Sequence, residues 1–138
     1  MMAAWKENLC PICCVGETLE ERENGQAQEK ISSQLTQGLS HLDVQHHPFA
    51  IAYEPVWAIG TGVHASEQDA QEMARFIRKK LEEIFDTQIA SQTRILYGGS
   101  VKPTTINALM QQNDIDGVLV GGASLKPHDF AQIVRFQE

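Results

Sequence analysis

Apolar positions along the 138-residue chain alternate between two rhythms, short unbroken runs and a spacing of three to four residues. Strands alternating with helices produce this pattern. Residues 9–15 (LCPICCV) form an apolar run stopped by Gly16 and predict a buried strand. Ile31, Leu35, Leu39 and Leu42 recur at helical spacing and predict a helix over 26–42. Residues 48–53 (PFAIAY) predict a second buried strand, ending in Glu54-Pro55 and a loop with glycines at 60 and 62. Ser66 opens the best helix, with Asp69 three residues on as a capping-box-like partner and Ala70, Met73, Ala74, Ile77, Leu81 and Ile84 on one face. Residues 93–97 (TRILY) predict a third strand, broken by Gly98-Gly99. A short helix over 103–112 follows, with proline near its first turn, where a missing N–H costs little. Residues 116–120 (DGVLV) predict a fourth strand, Gly121-Gly122 a turn, and 127–136 a closing helix.

The result is four β–α units in series, whose continuous apolar strands fit a parallel sheet covered on its faces. Each unit takes roughly 30 residues, whereas a closed (β/α)8 barrel needs about 250. The expected architecture is therefore half a barrel, one partial domain over residues 1–138. Residues 1–8 read as the tail of a helix belonging to a preceding unit, so the chain is expected to begin in mid-fold with the N-terminal half absent.

Composition narrows the function classes. Lys plus Arg number 11 against 18 Asp plus Glu, a net charge of −7. This balance argues against nucleic acid and anionic membrane as partners, since both call for a basic face. No apolar run approaches the ~20 residues that span a bilayer, and the first residues lack a signal-peptide pattern. Three cysteines make no disulfide framework and fit a reducing cytoplasm.

Candidate chemistry gathers at the C-terminal ends of three strands, where α/β barrels place their sites. The first is Tyr53-Glu54-Pro55-Val56-Trp57-Ala58-Ile59-Gly60-Thr61-Gly62. Partial desolvation of a carboxylate raises its pKa and makes it a usable base. The glycines beyond allow a loop to fold over a ligand and to offer backbone N–H to an anion. By itself, Glu54 reads sooner as an ordinary surface glutamate before a turn. The other two are Tyr97-Gly98-Gly99-Ser100 and Gly121-Gly122-Ala123-Ser124. A phosphate held by glycine turns after the last two strands is the usual barrel arrangement. Each Gly pair alone also fits a tight turn; both together, after consecutive strands, point to a phosphate site.

Other signals carry no site. Cys10-Pro11-Ile12-Cys13 has the C-x-x-C spacing but no second pair for zinc and no helix N-terminus for redox work, so buried structural thiols are expected. His46-His47 reads as solvated loop, and residues 17–23 (ETLEERE) as a mainly solvated short helix.

YEPVWAIGTG, YGGSV and LVGGASLKP, in this order and separation, resemble the triosephosphate isomerase family, as does CVGETLEER at 14–22. The likeness covers about residues 9–136 and is to that enzyme's C-terminal half, strands five to eight of a TIM barrel. It implies interconversion of dihydroxyacetone phosphate and D-glyceraldehyde 3-phosphate through an enediolate, in glycolysis and gluconeogenesis. Glu54 matches the family's catalytic base. Residues 55–65 match its closing loop, with Gly60 donating to the substrate phosphate and Ser100, Gly121 and Gly122 as the remaining phosphate donors. Tyr97 matches a residue that holds the closed loop; Cys14, Glu17 and Trp57 match positions supporting the site. No metal or organic cofactor is implied.

The family's electrophiles are a lysine, an asparagine and a histidine from its N-terminal half, and no segment here resembles those. His41, His46, His47, His64 and His128 lie at no matching position. The loop's far hinge reads Val63-His64-Ala65, where a lysine is common at the first position. The isolated chain is thus expected to turn over weakly or not at all, its alternative role being a catalytically incomplete phosphate-binding half-barrel. The family is a homodimer; for this chain, bare strand edges predict self-association or pairing with an N-terminal half.

Overall fold

The computed structural model describes residues 1–59 and 65–137. The expected α/β architecture is present: among the described residues, four strands form one parallel sheet in chain order, β1 (Ile12–Val15), β2 (Ala50–Tyr53), β3 (Arg94–Tyr97) and β4 (Gly117–Val118). The helices are α1 (Met2–Lys6), α2 (Leu19–Glu23), α3 (Ala27–Leu39), α4 (Glu67–Ile84), α5 (Thr87–Gln92), α6 (Ile106–Met110) and α7 (Pro127–Val134).

The strand register sorts the sheet's side chains into two faces. Val15, Tyr53 and Tyr97 lie abreast, as do Ile51 and Ile95 one row below, and all five are buried. Ile31, Leu35 and Leu39 of α3 and Ala70, Met73, Ala74, Ile77 and Leu81 of α4 join them in one core. The helical periodicity in the sequence exists to fill this face.

Cys14, Ala52, Leu96 and Gly117 share the other face. It is more open: Ile12 is 45% exposed and Cys14 is exposed. This overturns the expectation of buried thiols. Cys10 is exposed because it precedes β1 instead of joining it, Cys14 because it sits on the open face, and Cys13, on the helix side, is half-buried.

Strand and helix ends contract relative to the sequence reading. β1 begins at Ile12, after Pro11, whose carbonyl accepts from Ala50 N–H at 3.1 Å but which has no N–H to give. β4 keeps two residues of the expected five because its one partner among the described residues is β3. Its ladder nonetheless extends at both ends, through Asp116 N–H to the Ile95 carbonyl (2.8 Å) and Leu119 N–H to that of Tyr97 (2.9 Å). α6 starts at Ile106, three residues after Pro103, following a turn in which the Thr105 hydroxyl accepts from Lys102 N–H. α5 was not foreseen. It is only six residues long, and its one signal is Asp86, whose carboxylate accepts from Ile89 N–H at 2.7 Å.

The Ser66–Asp69 pair is a full capping box: Ser66 Oγ accepts from Asp69 N–H at 3.1 Å and Asp69 Oδ2 from Ser66 N–H at 3.2 Å. α4 in turn braces the sheet's far side through Arg78, which donates to Asp114 Oδ1 (2.9 Å), to Asp116 Oδ2 (2.8 Å) and to the Ala90 and Thr93 carbonyls.

Candidate functional site

β2 ends at Tyr53 with its backbone tied to both neighbours. Glu54 N–H donates to the Val15 carbonyl and Gly98 N–H to the Tyr53 carbonyl, each at 2.8 Å. Glu54 therefore leaves the sheet at a fixed point, between the ends of β1 and β3. Two glycines make room for it. A Cβ on Gly16 would collide with the Glu54 carbonyl oxygen, and one on Gly98 would fall 2.6 Å from Glu54 Cγ and 2.9 Å from Oε1.

Glu54 opens onto a cavity of about 580 Å³. Its walls include Gly98, Gly99 and Ser100 after β3, and Gly121, Gly122 and Ala123 after β4. At Gly121 and Gly122 a Cβ would meet no described atom within 4 Å beyond the adjoining residues, so packing inside the chain does not demand glycine there as it does at Gly16. Lys102 and Lys126 also line the cavity, opposite in charge to Glu54 and Asp129. Sequence reasoning passed over both lysines. The available signal was position: each lies within four residues of a Gly-Gly turn.

Thus the structure brings Glu54, Ser100, Gly121 and Gly122 to one cavity. Cys14, Glu17, Trp57 and Tyr97 stand around it without lining it. Gly60, together with Val63 and His64, lies outside the described residues.

Burial and then the negative charge of Glu54 push the Cys14 thiol's pKa up. Tyr97 is buried beneath Gly99, where a Cβ would strike its hydroxyl. Burial pushes its phenol pKa up.

Glu17 departs most from its appearance in the sequence. It precedes the acidic helix α2 and is fully buried. Its Oε1 accepts from the Tyr53 hydroxyl at 3.0 Å and from Trp57 Nε1–H at 2.8 Å, with Arg22 at 3.8 Å. Burial first, and then the Glu17 carboxylate, push the Tyr53 phenol well above its ordinary range, which keeps it a donor. Trp57 sits in a 3-10 turn, Val56–Ala58, directly after Glu54-Pro55. The Arg22 guanidinium stacks on its indole at 4.7 Å and donates to Asp69 Oδ1 at 2.7 Å. The capping hydrogen bonds of Ser66, and then Arg22, hold the Asp69 carboxyl below the usual aspartate range. One arginine thereby links the turn after Glu54 to the start of α4. In the sequence, Glu17 and Arg22 look like members of a solvated charge run, because nothing in the local pattern reveals the tyrosine and tryptophan that reach them from elsewhere.

Among the described residues, no cluster of three or more His, Cys, Asp or Glu side chains is arranged to hold a metal, and no helix is long and apolar enough to cross a membrane.

Comparison with known proteins gives the chain's family. Among curated relatives, the triosephosphate isomerase of Clostridium tetani is 49% identical over 138 residues, 99% of this chain and 54% of its own length. That of Dictyoglomus thermophilum is 51% identical over 134 residues (96% and 54%), and that of Citrifermentans bemidjiense 53% over 137 (99% and 55%). The chain thus spans about half the length of the curated relatives it matches. The family model for triosephosphate isomerase matches residues 1–137, nearly the whole chain, and with it the chain belongs to the triosephosphate isomerase family.

Proposed function

We propose that this chain supplies the base and the phosphate cradle of a triosephosphate isomerase and corresponds to strands five to eight of the barrel. The observation that carries the reading is that Glu54 shares one cavity with both Gly-Gly turns. In this reading Glu54 removes a proton from the carbon beside the substrate carbonyl, an enediolate forms, and the same carboxylate returns the proton to the neighbouring carbon. Ser100, Gly121, Gly122 and Gly60 donate to the substrate phosphate. The open room at Gly121 and Gly122 supports their part, since a close backbone approach to an anion needs it. Cys14, Glu17, Trp57 and Tyr97 support the base and the loop behind it. The setting is glycolytic and cytoplasmic.

An enediolate oxygen also needs an electrophile, and the family's lysine, asparagine and histidine match no residue among these 138. Titration of the chain with inorganic phosphate is expected to shift the amide resonances of Ser100, Gly121 and Gly122; a flat titration sinks the reading. Turnover by the purified chain is expected to equal that of an identically prepared Glu54→Gln control. Activity that disappears in the control means that the chain assembles a working site by itself, against the account of the electrophiles.

The same reading extends to assembly. β1 and β4 are the two edges of the sheet among the described residues, and its second face exposes Ile12 and Cys14. A second copy, related by a twofold axis parallel to the strands, seats β4 of each beside β1 of the other. This makes two identical parallel seams and the eight strands at which such a barrel closes. Light scattering at micromolar concentration is expected to give at least twice the 15.4 kDa chain mass. A monodisperse monomer contradicts it.

A further inference from the structure

Two hydrogen bonds meet at the end of β1. The half-buried Gln34 side chain of α3 accepts from Gly16 N–H through Oε1 at 3.0 Å, and its Nε2 donates to the Gly16 carbonyl at 3.1 Å. A single carboxamide thereby satisfies both polar groups of one residue's backbone. Gly16 lies one residue beyond the last pair of the β1–β2 ladder, Val15 with Tyr53, so the ladder itself leaves it unheld.

What Gly16 touches gives the contact its meaning. Its Cα lies so close to the Glu54 carbonyl that no side chain fits between them. The next residue, Glu17, holds the Trp57 indole and the Tyr53 hydroxyl through its carboxylate, and its carbonyl accepts from Val56 N–H at 3.0 Å. The Gly16-Glu17 elbow therefore braces the backbone on both sides of Glu54-Pro55. α3 is a firm base for such a brace, because Ile31 and Leu35, on either side of Gln34 in sequence, are fully buried in the core.

We propose that Gln34 is a positioning residue of this site: by pinning the Gly16 backbone from α3, it sets where Glu54 and the Trp57 indole stand. It lines no part of the cavity and acts only through Gly16 and Glu17. The assignment of a purpose to that placement rests on the isomerase reading; the placement itself does not.

The test compares the full chain with Gln34→Leu and Gln34→Glu by amide and indole NMR, with inorganic phosphate as the probe. Leu removes both hydrogen bonds. Glu keeps the length and one acceptor but turns the donor facing the Gly16 carbonyl into a repelling oxygen. In both variants the Glu54 and Val56 amides and the Trp57 indole N–H are expected to shift. In Gln34→Leu, which leaves the Gly16 N–H without its acceptor, exchange of that amide is expected to speed up roughly tenfold, the worth of one lost hydrogen bond. Gly121 and Gly122 should keep their positions and their response to phosphate, which separates a positioning role from general loosening. A folded Gln34→Leu protein with unmoved Glu54 and Trp57 signals overturns the proposal. So does global unfolding of both variants, which assigns Gln34 to the fold alone. If the unaltered chain shows no phosphate response, the isomerase reading fails, while the Glu54 and Trp57 signals still decide the role of Gln34.

Discussion

Gly16→Ala is expected to lower the midpoint of thermal unfolding by about 10 °C. The reason is where the new methyl group lands: on the carbonyl oxygen of Glu54, a backbone atom held from both sides. Glu54 N–H is bonded to Val15 and the Tyr53 carbonyl to Gly98, so β2 cannot retreat without breaking its ladders. On the other side, Gly16 is tied to Gln34 by two hydrogen bonds. Overpacking of this kind costs roughly 3 kcal/mol, and at this chain length each kcal/mol moves the midpoint by about 3–5 °C. Circular dichroism melting curves of the two proteins measure it. A midpoint within about 2 °C of the parent means that β1 and β2 separate more easily than their register implies.

Gly98→Ala is expected to do the opposite, sparing the fold and disturbing the chemistry. Here the added Cβ meets Cγ, Oε1 and Cδ of the Glu54 side chain at 2.6, 2.9 and 3.2 Å, with no backbone atom among its three nearest neighbours. A side chain rotates away at little cost in stability, but its carboxylate then leaves its place over β3. Displacement of a reacting group by about 1 Å can cost roughly a hundredfold in rate. The expected signature is a shifted carboxyl carbon resonance of Glu54 with a nearly unchanged melting curve and an intact phosphate response at Gly121 and Gly122. Any turnover that depends on Glu54 falls by about that hundredfold factor. An unmoved Glu54 resonance refutes the steric account.

These two glycines also mark how far the residues could be read in advance. The strand centres were plain, because four apolar runs needed no context to be recognised as sheet, and the face of α4 was plain because Ala70, Met73, Ala74, Ile77 and Leu81 repeat with its turn. The candidate cavity was legible too, from an acid and two Gly-Gly turns at successive strand ends. Gly98, however, reads as a phosphate-turn glycine, whereas its tightest constraint is the Glu54 side chain, contributed by another strand. Glu17 reads as part of a wet acidic run, yet it is buried by Tyr53 and Trp57, 36 and 40 residues away. Cys14 reads as buried because apolar runs usually are; its exposure depends on which face of the sheet it occupies, a matter of what lies opposite. In each case the missing information was a long-range neighbour, which periodicity along the chain does not encode.

The order of strands in the sheet follows their order in the chain, and this bears on how the protein is made. From β2 onward, each described strand finds a partner in the one synthesised just before it. Pairing partners are separated by one helix-containing connection each time, which keeps the loop-closure entropy of every step similar and modest. The sheet can therefore grow one unit at a time as the chain emerges, and β4, two residues long and the last in chain order among the described strands, is where unfolding is expected to begin.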